Sequence, residues 1–289
     1  MVGAGIEIAA VVTKADRRAG RGLGLANRPV ADRARQLEVA LYQPEKPRAQ
    51  ETKSWLESQR ADAGVVVAYG SILPKELIEV PPLGFVNLHF SLLPRYRGAA
   101  PVARAVMDGV TETGVSTMVL TEGMDEGPVL GRRRVPVGSD ETSGSLGGRL
   151  AQIGAGLLVE SLRDYSAGAL KPKPQNHAAA TYAPRITDEE ARIAWAASHR
   201  RIRDLVRALN PAPGAWTTLR GARLKVHRTE SPSESRKLSA GELLAGAELL
   251  VGTGDAALAL AEVQVAGRRR MTGAELARGL RLKPGEILH

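Results

Sequence analysis

Two side chains that can do chemistry, Asn87 and His89, lie two positions apart in an otherwise apolar segment. If residues 84–89 form a strand, the strand period of two places both side chains on one face, while Val86 and Leu88 point into a core. A hydrogen-bonding amide and an imidazole at a strand end can stabilise developing negative charge and move protons. The alternative is that both are satisfied polar residues at a strand terminus.

The loop that follows favours a ligand site over a simple strand end. It begins with Arg95, Tyr96 and Arg97 and continues with the small residues of 98–101, without an amphipathic period. Such irregular, polar loops on a rigid scaffold commonly carry binding residues. A third candidate, Asp125, lies in a glycine-flanked turn after an apolar strand, where an aspartate can also serve only to form the turn.

Taken in order along the chain, these residues resemble the formyltetrahydrofolate-dependent formyltransferases, and among them the branch that acts on methionyl-tRNA. The motifs that carry the resemblance run through nearly the whole sequence: Asn87, His89, the 91–94 turn, the 98–101 run, Asp125, and the segments 68–70, 72–74, 190–193 and 267–271.

The resemblance implies transfer of the formyl group of 10-formyltetrahydrofolate to the α-amine of methionine carried by initiator tRNA. Asn87 and His89 would donate hydrogen bonds to the formyl oxygen as the tetrahedral adduct forms. Asp125 would orient His89 and favour its protonated form, or accept the proton of the attacking amine, and the sequence leaves both roles open. The co-substrate is then a folate, and no metal is needed.

The folate-binding residues are also assigned by resemblance, to the turn formed by Ser91, Leu92, Leu93 and Pro94. A proline-containing turn with two leucines can offer a pterin ring an apolar wall and main-chain hydrogen bonds. A buried turn without a ligand would have the same sequence.

The tRNA contacts are expected in residues 13–22, which resemble an inserted loop of the family. The cations that suit phosphates there are Lys14, Arg17, Arg18 and Arg21. The alternative is a solvated charged loop. Two further basic clusters, 200–203 and 268–270, are phosphate candidates, although exposed charge runs usually serve solubility.

Composition agrees with a soluble protein that binds a polyanion. The 289 residues carry a net charge of +9 with a pI near 10.1, which favours phosphate contacts. There is no cysteine, and the five histidines are scattered, which argues against thiolate or zinc chemistry. No run of about 18 apolar residues is present. We expect a cytoplasmic, monomeric protein without a membrane partner.

The elements that must position the site alternate between strand-like runs at 6–13, 64–68, 85–88 and 114–120 and helical stretches at 29–41, 50–61 and 99–109. This alternation predicts an α/β fold with a doubly wound, mostly parallel sheet, in which ligands bind beyond the carboxyl ends of strands. A catalytic domain at 1–170, a proline-containing linker at 171–184 and a second domain at 185–289 are expected. The short strands of the second domain suit a small barrel, and the resemblance implies an OB-like one.

One departure from the family pattern concerns the amino terminus. Family members open with an extra strand, a turn and a helix before the segment equivalent to residues 6–13, so the chain apparently lacks the first strand. Because that strand would be central, its loss should open the sheet between its neighbours and remove part of the folate wall. Either the true start lies upstream of Met1 or the enzyme is altered.

Two other functions stay open. The chain can be a folate-dependent formyltransferase that acts on another amine, because all such enzymes share the Asn, His and Asp set. It can also be a truncated, inactive RNA-binding protein.

Overall fold

The computed structural model describes residues 1–19, 24–26, 28–44, 49–234 and 236–289. The chain forms two compact units. The first contains Met1–Arg97, Val115–Arg133 and Gln152–Thr181, and the second contains Gly98–Gly114, Arg134–Ala151 and Tyr182–His289. All three candidate catalytic residues belong to the first unit.

The helices and strands follow in chain order. The α-helices are α1 (Pro29–Gln36), α2 (Ala49–Ser58), α3 (Lys75–Ile78), α4 (Pro101–Met107), α5 (Ser143–Ser166), α6 (His199–Ala208) and α7 (Gly273–Leu280). The strands are β1 (Ala10–Val12), β2 (Arg17–Ala19), β3 (Gly24–Ala26), β4 (Ala40–Tyr42), β5 (Gly64–Val67), β6 (Phe85–His89), β7 (Glu112–Val119), β8 (Val129–Pro136), β9 (Ala215–Leu219), β10 (Ala222–Glu230), β11 (Leu243–Ala245), β12 (Leu249–Gly252), β13 (Ala257–Val265) and β14 (Met271–Thr272). Short 3-10 helices span Val2–Ala4 and His177–Ala179.

The site lies on a four-stranded sheet with the order β5-β6-β7-β8. Strands β5 and β6 are parallel, whereas β6 and β7 are antiparallel. Strands β1 and β4 form a separate parallel pair, and among the described residues no ladder joins them to the larger sheet. The predicted α/β architecture is confirmed.

Helix α5 packs against the sheet through an apolar core. Leu158 and Leu162 contact Val86 of β6 and Leu130 of β8, and all four side chains are buried. At Gly154 an added Cβ would lie 2.8 Å from a methyl carbon of Leu88, so only glycine allows the helix to approach this closely. Helix α5 therefore covers strand β6. Asn87 and His89 are polar residues in a strand that is otherwise buried and apolar.

The second unit contains a β-sheet with the order β11-β12-β13-β10-β9, to which β14 adds against β13. The predicted β domain at the carboxyl end is confirmed. The expected OB-like barrel is wrong in one respect, because the described ladders leave the sheet open between β9 and β11. Helices α4 and α6 pack against each other in the same unit.

Several predicted bounds differ from the structure. Strand β1 is shorter than predicted, and α1 ends at Gln36 because Glu38 adopts a left-handed backbone conformation with φ 53°. The segment predicted as a loop contains strand β2, which pairs antiparallel with β3 and so satisfies main-chain groups. The domain limits at 170 and 185 stay a prediction, since the second unit also takes residues 98–114 and 134–151.

Candidate functional site

Asn87 lies in the middle of β6, beside Val66 of β5 and Met118 of β7. Its side chain is only 7% exposed. Within the described part of the chain the side-chain amide has no hydrogen-bond partner. Asn87 is not among the described residues that have a fully buried side-chain atom without a partner, so its amide keeps some contact with solvent. An accessible amide without a protein partner is suited to a ligand oxygen.

His89, the last residue of β6, is held on both sides of its ring. Its Nε2 lies 2.8 Å from the main-chain oxygen of Tyr96, and its Nδ1 lies 3.6 Å from Oδ2 of Asp125. A carbonyl oxygen can only accept, so Nε2 carries a proton and Nδ1 faces the carboxylate. The structure thus brings together His89 and Asp125 as the sequence predicts. The role of His89 as a second donor to the formyl oxygen stays a prediction, because its Nε2–H is engaged by Tyr96.

Asp125 is presented by a tight turn between β7 and β8. Its backbone is left-handed with φ 50°, a conformation that aspartate tolerates better than most side chains. Nearby, an added Cβ at Gly127 would lie 1.9 Å from the main-chain oxygen of Val119, so the turn needs glycine at that position. The side chain of Asp125 is 17% exposed and can reach both His89 and solvent.

The four predicted folate-binding residues divide into two pairs. Ser91 and Leu93 are buried and brace the turn: Ser116 Oγ donates to the Ser91 oxygen at 2.7 Å and accepts from the Leu93 nitrogen at 3.1 Å. Leu93 also packs against Met118 in the core. Leu92 and Pro94 are half-buried and can contact a ligand.

Of the predicted tRNA contacts, Lys14 is described completely. Its Nζ lies 3.5 Å from the oxygen of Gly70 and 6.0 Å from the centre of the Tyr69 ring. Arg17 and Arg18 lie in strand β2, and only their backbone is described; Arg21 lies outside the described residues. The structure therefore places one of the four cations.

The other basic clusters are largely occupied by carboxylates. Arg203 pairs with Asp140 at 2.5 Å, and Arg270 pairs with Glu262 at 3.4 Å. These pairs agree with the alternative reading, in which exposed charge runs serve solubility. The described residues contain no group of three or more side chains that could hold a metal ion. None of the described helices is long and apolar enough to span a bilayer.

Two residues beside the site, Arg97 and Gln175, have no sequence pattern that indicates a role there. Arg97 is 2% exposed, and both of its hydrogen bonds to Gln175 are made inside the protein. Arg97 belongs to a charged loop in the sequence, and Gln175 lies within the proline-containing linker at 171–184 without any motif of its own. Gln175 binds main-chain oxygens, which every residue has, so the sequence pattern does not reveal these contacts.

Two family models match the chain. The formyl transferase model matches residues 2–162, and the model of the formyl transferase C-terminal domain matches residues 185–281. The chain belongs to the formyl transferase family. The resemblance read from the sequence is confirmed, and Asn87, His89 and Asp125 all lie inside the first match.

Similar proteins from other bacteria are named methionyl-tRNA formyltransferases. The chain is 46% identical to the methionyl-tRNA formyltransferase of Streptomyces griseus subsp. griseus over 283 residues, which covers 98% of this chain and 91% of that protein. It is 42% identical over 288 residues to the methionyl-tRNA formyltransferase of Solibacter usitatus, covering 100% and 93%. Such identity over nearly full lengths supports a common activity.

Solved structures of formyltransferases and of HypX share the fold. HypX from Aquifex aeolicus, in complex with tetrahydrofolic acid, superposes with a TM-score of 0.65 at 19% identity and covers 85% of this chain and 43% of its own. The sugar 3N-formyl transferase WlaRD, solved with dTDP and 5-N-formyl-THF, gives a TM-score of 0.64 at 14% identity and covers 90% and 88%. At these identities the likeness shows the fold alone.

Proposed function

We propose that the chain transfers the formyl group of 10-formyltetrahydrofolate to the α-amine of methionine carried by initiator tRNA. The observation that carries the residue roles is the side-chain amide of Asn87, a residue that is 7% exposed. The amide has no partner among the described residues and lies on the same strand face as His89. The names of the full-length relatives supply the acceptor.

The reaction proceeds by direct attack of the amine nitrogen on the formyl carbon. Negative charge develops on the formyl oxygen, and Asn87 donates a hydrogen bond to it from Nδ2. The adduct collapses by breaking the bond between the formyl carbon and N10 of the folate, which takes up a proton. The nitrogen that attacked loses a proton, so the site needs one acceptor and one donor.

The His89 and Asp125 pair handles those protons. Asp125 is partly exposed and accepts the amine proton, directly or through a water molecule. The Nδ1 atom of His89 faces the same carboxylate and stabilises its charge when protonated. Tyr96 keeps the ring in the orientation that this exchange requires.

The folate binds against the turn after β6. Leu92 and Pro94 provide the accessible apolar contacts, while Ser91 and Leu93 keep the turn in shape through Ser116. A rigid turn that is already hydrogen-bonded loses little conformational entropy when a ligand binds.

The acceptor end of the tRNA approaches the same edge of the sheet, where Lys14 is positioned. Val67 of β5 pairs with Leu88 of β6 in a parallel ladder, so the loop with Tyr69 and Gly70 leaves the sheet at the edge where His89 lies. Lys14 contacts that loop. We expect its ammonium group to meet a phosphate near the reacting amine, and in the sequence Arg17, Arg18 and Arg21 extend the same basic segment.

We also propose that the protein works as a monomer in the cytoplasm, with initiator tRNA and folate as its partners. The absence of cysteine in the sequence agrees with a reducing compartment. A net charge of +9 favours a single polyanionic partner over self-association.

The test is formyl transfer from labelled 10-formyltetrahydrofolate by the purified chain. Methionyl initiator tRNA, methionyl elongator tRNA, free methionine and a nucleotide-linked amino sugar are supplied separately. Label on initiator tRNA alone is the expected result. Label on a small amine alone would reassign the acceptor, and a folded chain that binds tRNA without any transfer would make it an RNA-binding protein.

A further inference from the structure

The strongest unexplained feature near the site is the buried side chain of Arg97. Its Nε and Nη2 atoms donate to the same oxygen, Oε1 of Gln175, at 3.1 and 2.7 Å. Both side chains are almost fully buried, at 2% and 5% exposure. Burying a guanidinium group costs free energy unless the group is well paired. The contact with Gln175 offsets part of this cost, and it also links Arg97 to the residues that Gln175 binds.

The hydrogen-bond partners of Gln175 fix the orientation of its amide. Because guanidinium nitrogens only donate, Oε1 must face Arg97, and Nε2 must face the other way. There Nε2 donates to the main-chain oxygens of Asp125 and Gly127, at 2.9 and 2.7 Å. Both oxygens belong to the turn that presents the Asp125 carboxylate. Gln175 therefore holds that turn from behind through its main chain.

The other end of the same chain of hydrogen bonds reaches His89. Arg97 directly follows Tyr96, whose main-chain oxygen accepts from His89. The segment is further tied down by Thr181, whose Oγ1 accepts from the Tyr96 nitrogen at 2.8 Å and whose main-chain oxygen accepts from the Arg97 nitrogen at 2.8 Å. One route thus runs from His89 through residues 96 and 97 and Gln175 to Asp125.

We propose that Gln175, held by Arg97, is a positioning residue that sets the alignment of Asp125 with His89. The proposal rests on the proposed function, in which these two side chains exchange protons. Asp125 lies on a left-handed backbone, so its turn depends on external contacts to hold the side chain in place. Misplacement of a catalytic group by about 1 Å can reduce turnover by about 100-fold.

The test compares Gln175→Met with wild type. Methionine has a similar length but cannot bridge Arg97 and the turn. We expect kcat to fall about 10- to 100-fold, with little change in KM for folate or tRNA. The matched control is Gln152→Met on the exposed side of α5, which should leave kcat unchanged.

A purely structural role would lower the melting temperature without acting through Asp125. The double variant Gln175→Met with Asp125→Asn separates these cases. If Gln175 acts through Asp125, adding Gln175→Met to the Asp125→Asn variant should lower kcat by less than about threefold further, while losses in melting temperature should still accumulate. Independent, multiplied losses in kcat would overturn the proposal.

The experiment still decides the proposal when Gln175→Met does not fold or when the wild-type chain shows no transfer. If Gln175→Met does not fold, Gln175→Asn replaces it, because asparagine keeps the donor and acceptor but is too short to reach both partners. A folded variant with wild-type kcat overturns the positioning role. Absence of transfer in wild type itself rejects the proposed function instead, so the two failures are distinguishable.

Discussion

Nδ1 of His89 lies 3.6 Å from Oδ2 of Asp125, while Nε2 of the same ring donates to the oxygen of Tyr96. These two contacts fix the ring in one orientation, with Nε2 towards the loop after β6 and Nδ1 towards the turn that carries Asp125. Each side chain of the pair therefore depends on the other for its position.

We predict strong coupling between the two members of this pair. His89→Gln and Asp125→Asn should each lower kcat by about 10² to 10⁴-fold, because each removes one member of the pair that handles the amine proton in the proposed reaction. The double variant should be little worse than the poorer single variant. Steady-state kinetics of the three variants checks this, and losses that multiply would mean that the residues act independently.

A separate prediction concerns the Asn87 amide. Asn87→Ala removes the donor to the formyl oxygen and should lower kcat by about 10² to 10³-fold, with a smaller change in KM for folate. The matched control is Asn176→Ala, which removes an exposed cap from the Ala178 nitrogen. The control should cost about 1 kcal/mol of stability and leave turnover intact. Near-normal turnover in a folded Asn87→Ala protein would remove Asn87 from the reaction.

The sequence predicts the arrangement on β6 because a strand has a simple side-chain period. Asn87 and His89 share one face, and the buried residues Val86 and Leu88 occupy the other face as expected. The predicted strand at 85–88 differs from β6 by one residue. Local periodicity and the turn around Asp125 thus give most of the site.

The remainder depends on contacts that sequence patterns do not encode. Gln175 is fifty positions from Asp125 and binds it through a main-chain oxygen, which every residue possesses. Arg97 lies in a basic run that is typical of exposed loops, yet it is buried by its tertiary contacts. Likewise, the open sheet of the second unit follows from strand pairing and not from strand composition.

The position of Lys14 predicts a specific dependence on salt. Lys14→Ala should raise KM for methionyl initiator tRNA, leave KM for folate unchanged, and reduce the slope of log KM against log salt by about 1. Lys53→Ala is the control, because Lys53 pairs with Glu57 on helix α2 at 3.8 Å. An unchanged salt slope in the Lys14 variant would place its ammonium group away from the phosphates.

The last prediction concerns stability and pH in the second unit, where His227 is buried on β10. Its Nε2 lies 3.1 Å from Oε1 of Gln264, and within the described residues Nδ1 has no partner. Burial lowers the pKa of His227 below its usual value of 6.5, because the charged ring would lose its hydration. Just below pH 6.5, His227 therefore binds a proton more readily in the unfolded chain than in the folded chain.

This contribution to stability is complete above about pH 6.5 and is lost as the pH falls below that value. The loss cannot exceed about 1.4 kcal/mol per pH unit, the limit for one proton. His227→Gln removes the titrating group, so its melting temperature should fall less than that of wild type between pH 7.5 and 5. Gln264→Glu places a carboxylate at Nε2, which favours the charged ring and should flatten the wild-type trend. Parallel melting curves for wild type and His227→Gln across this range would show that another group causes the acid sensitivity.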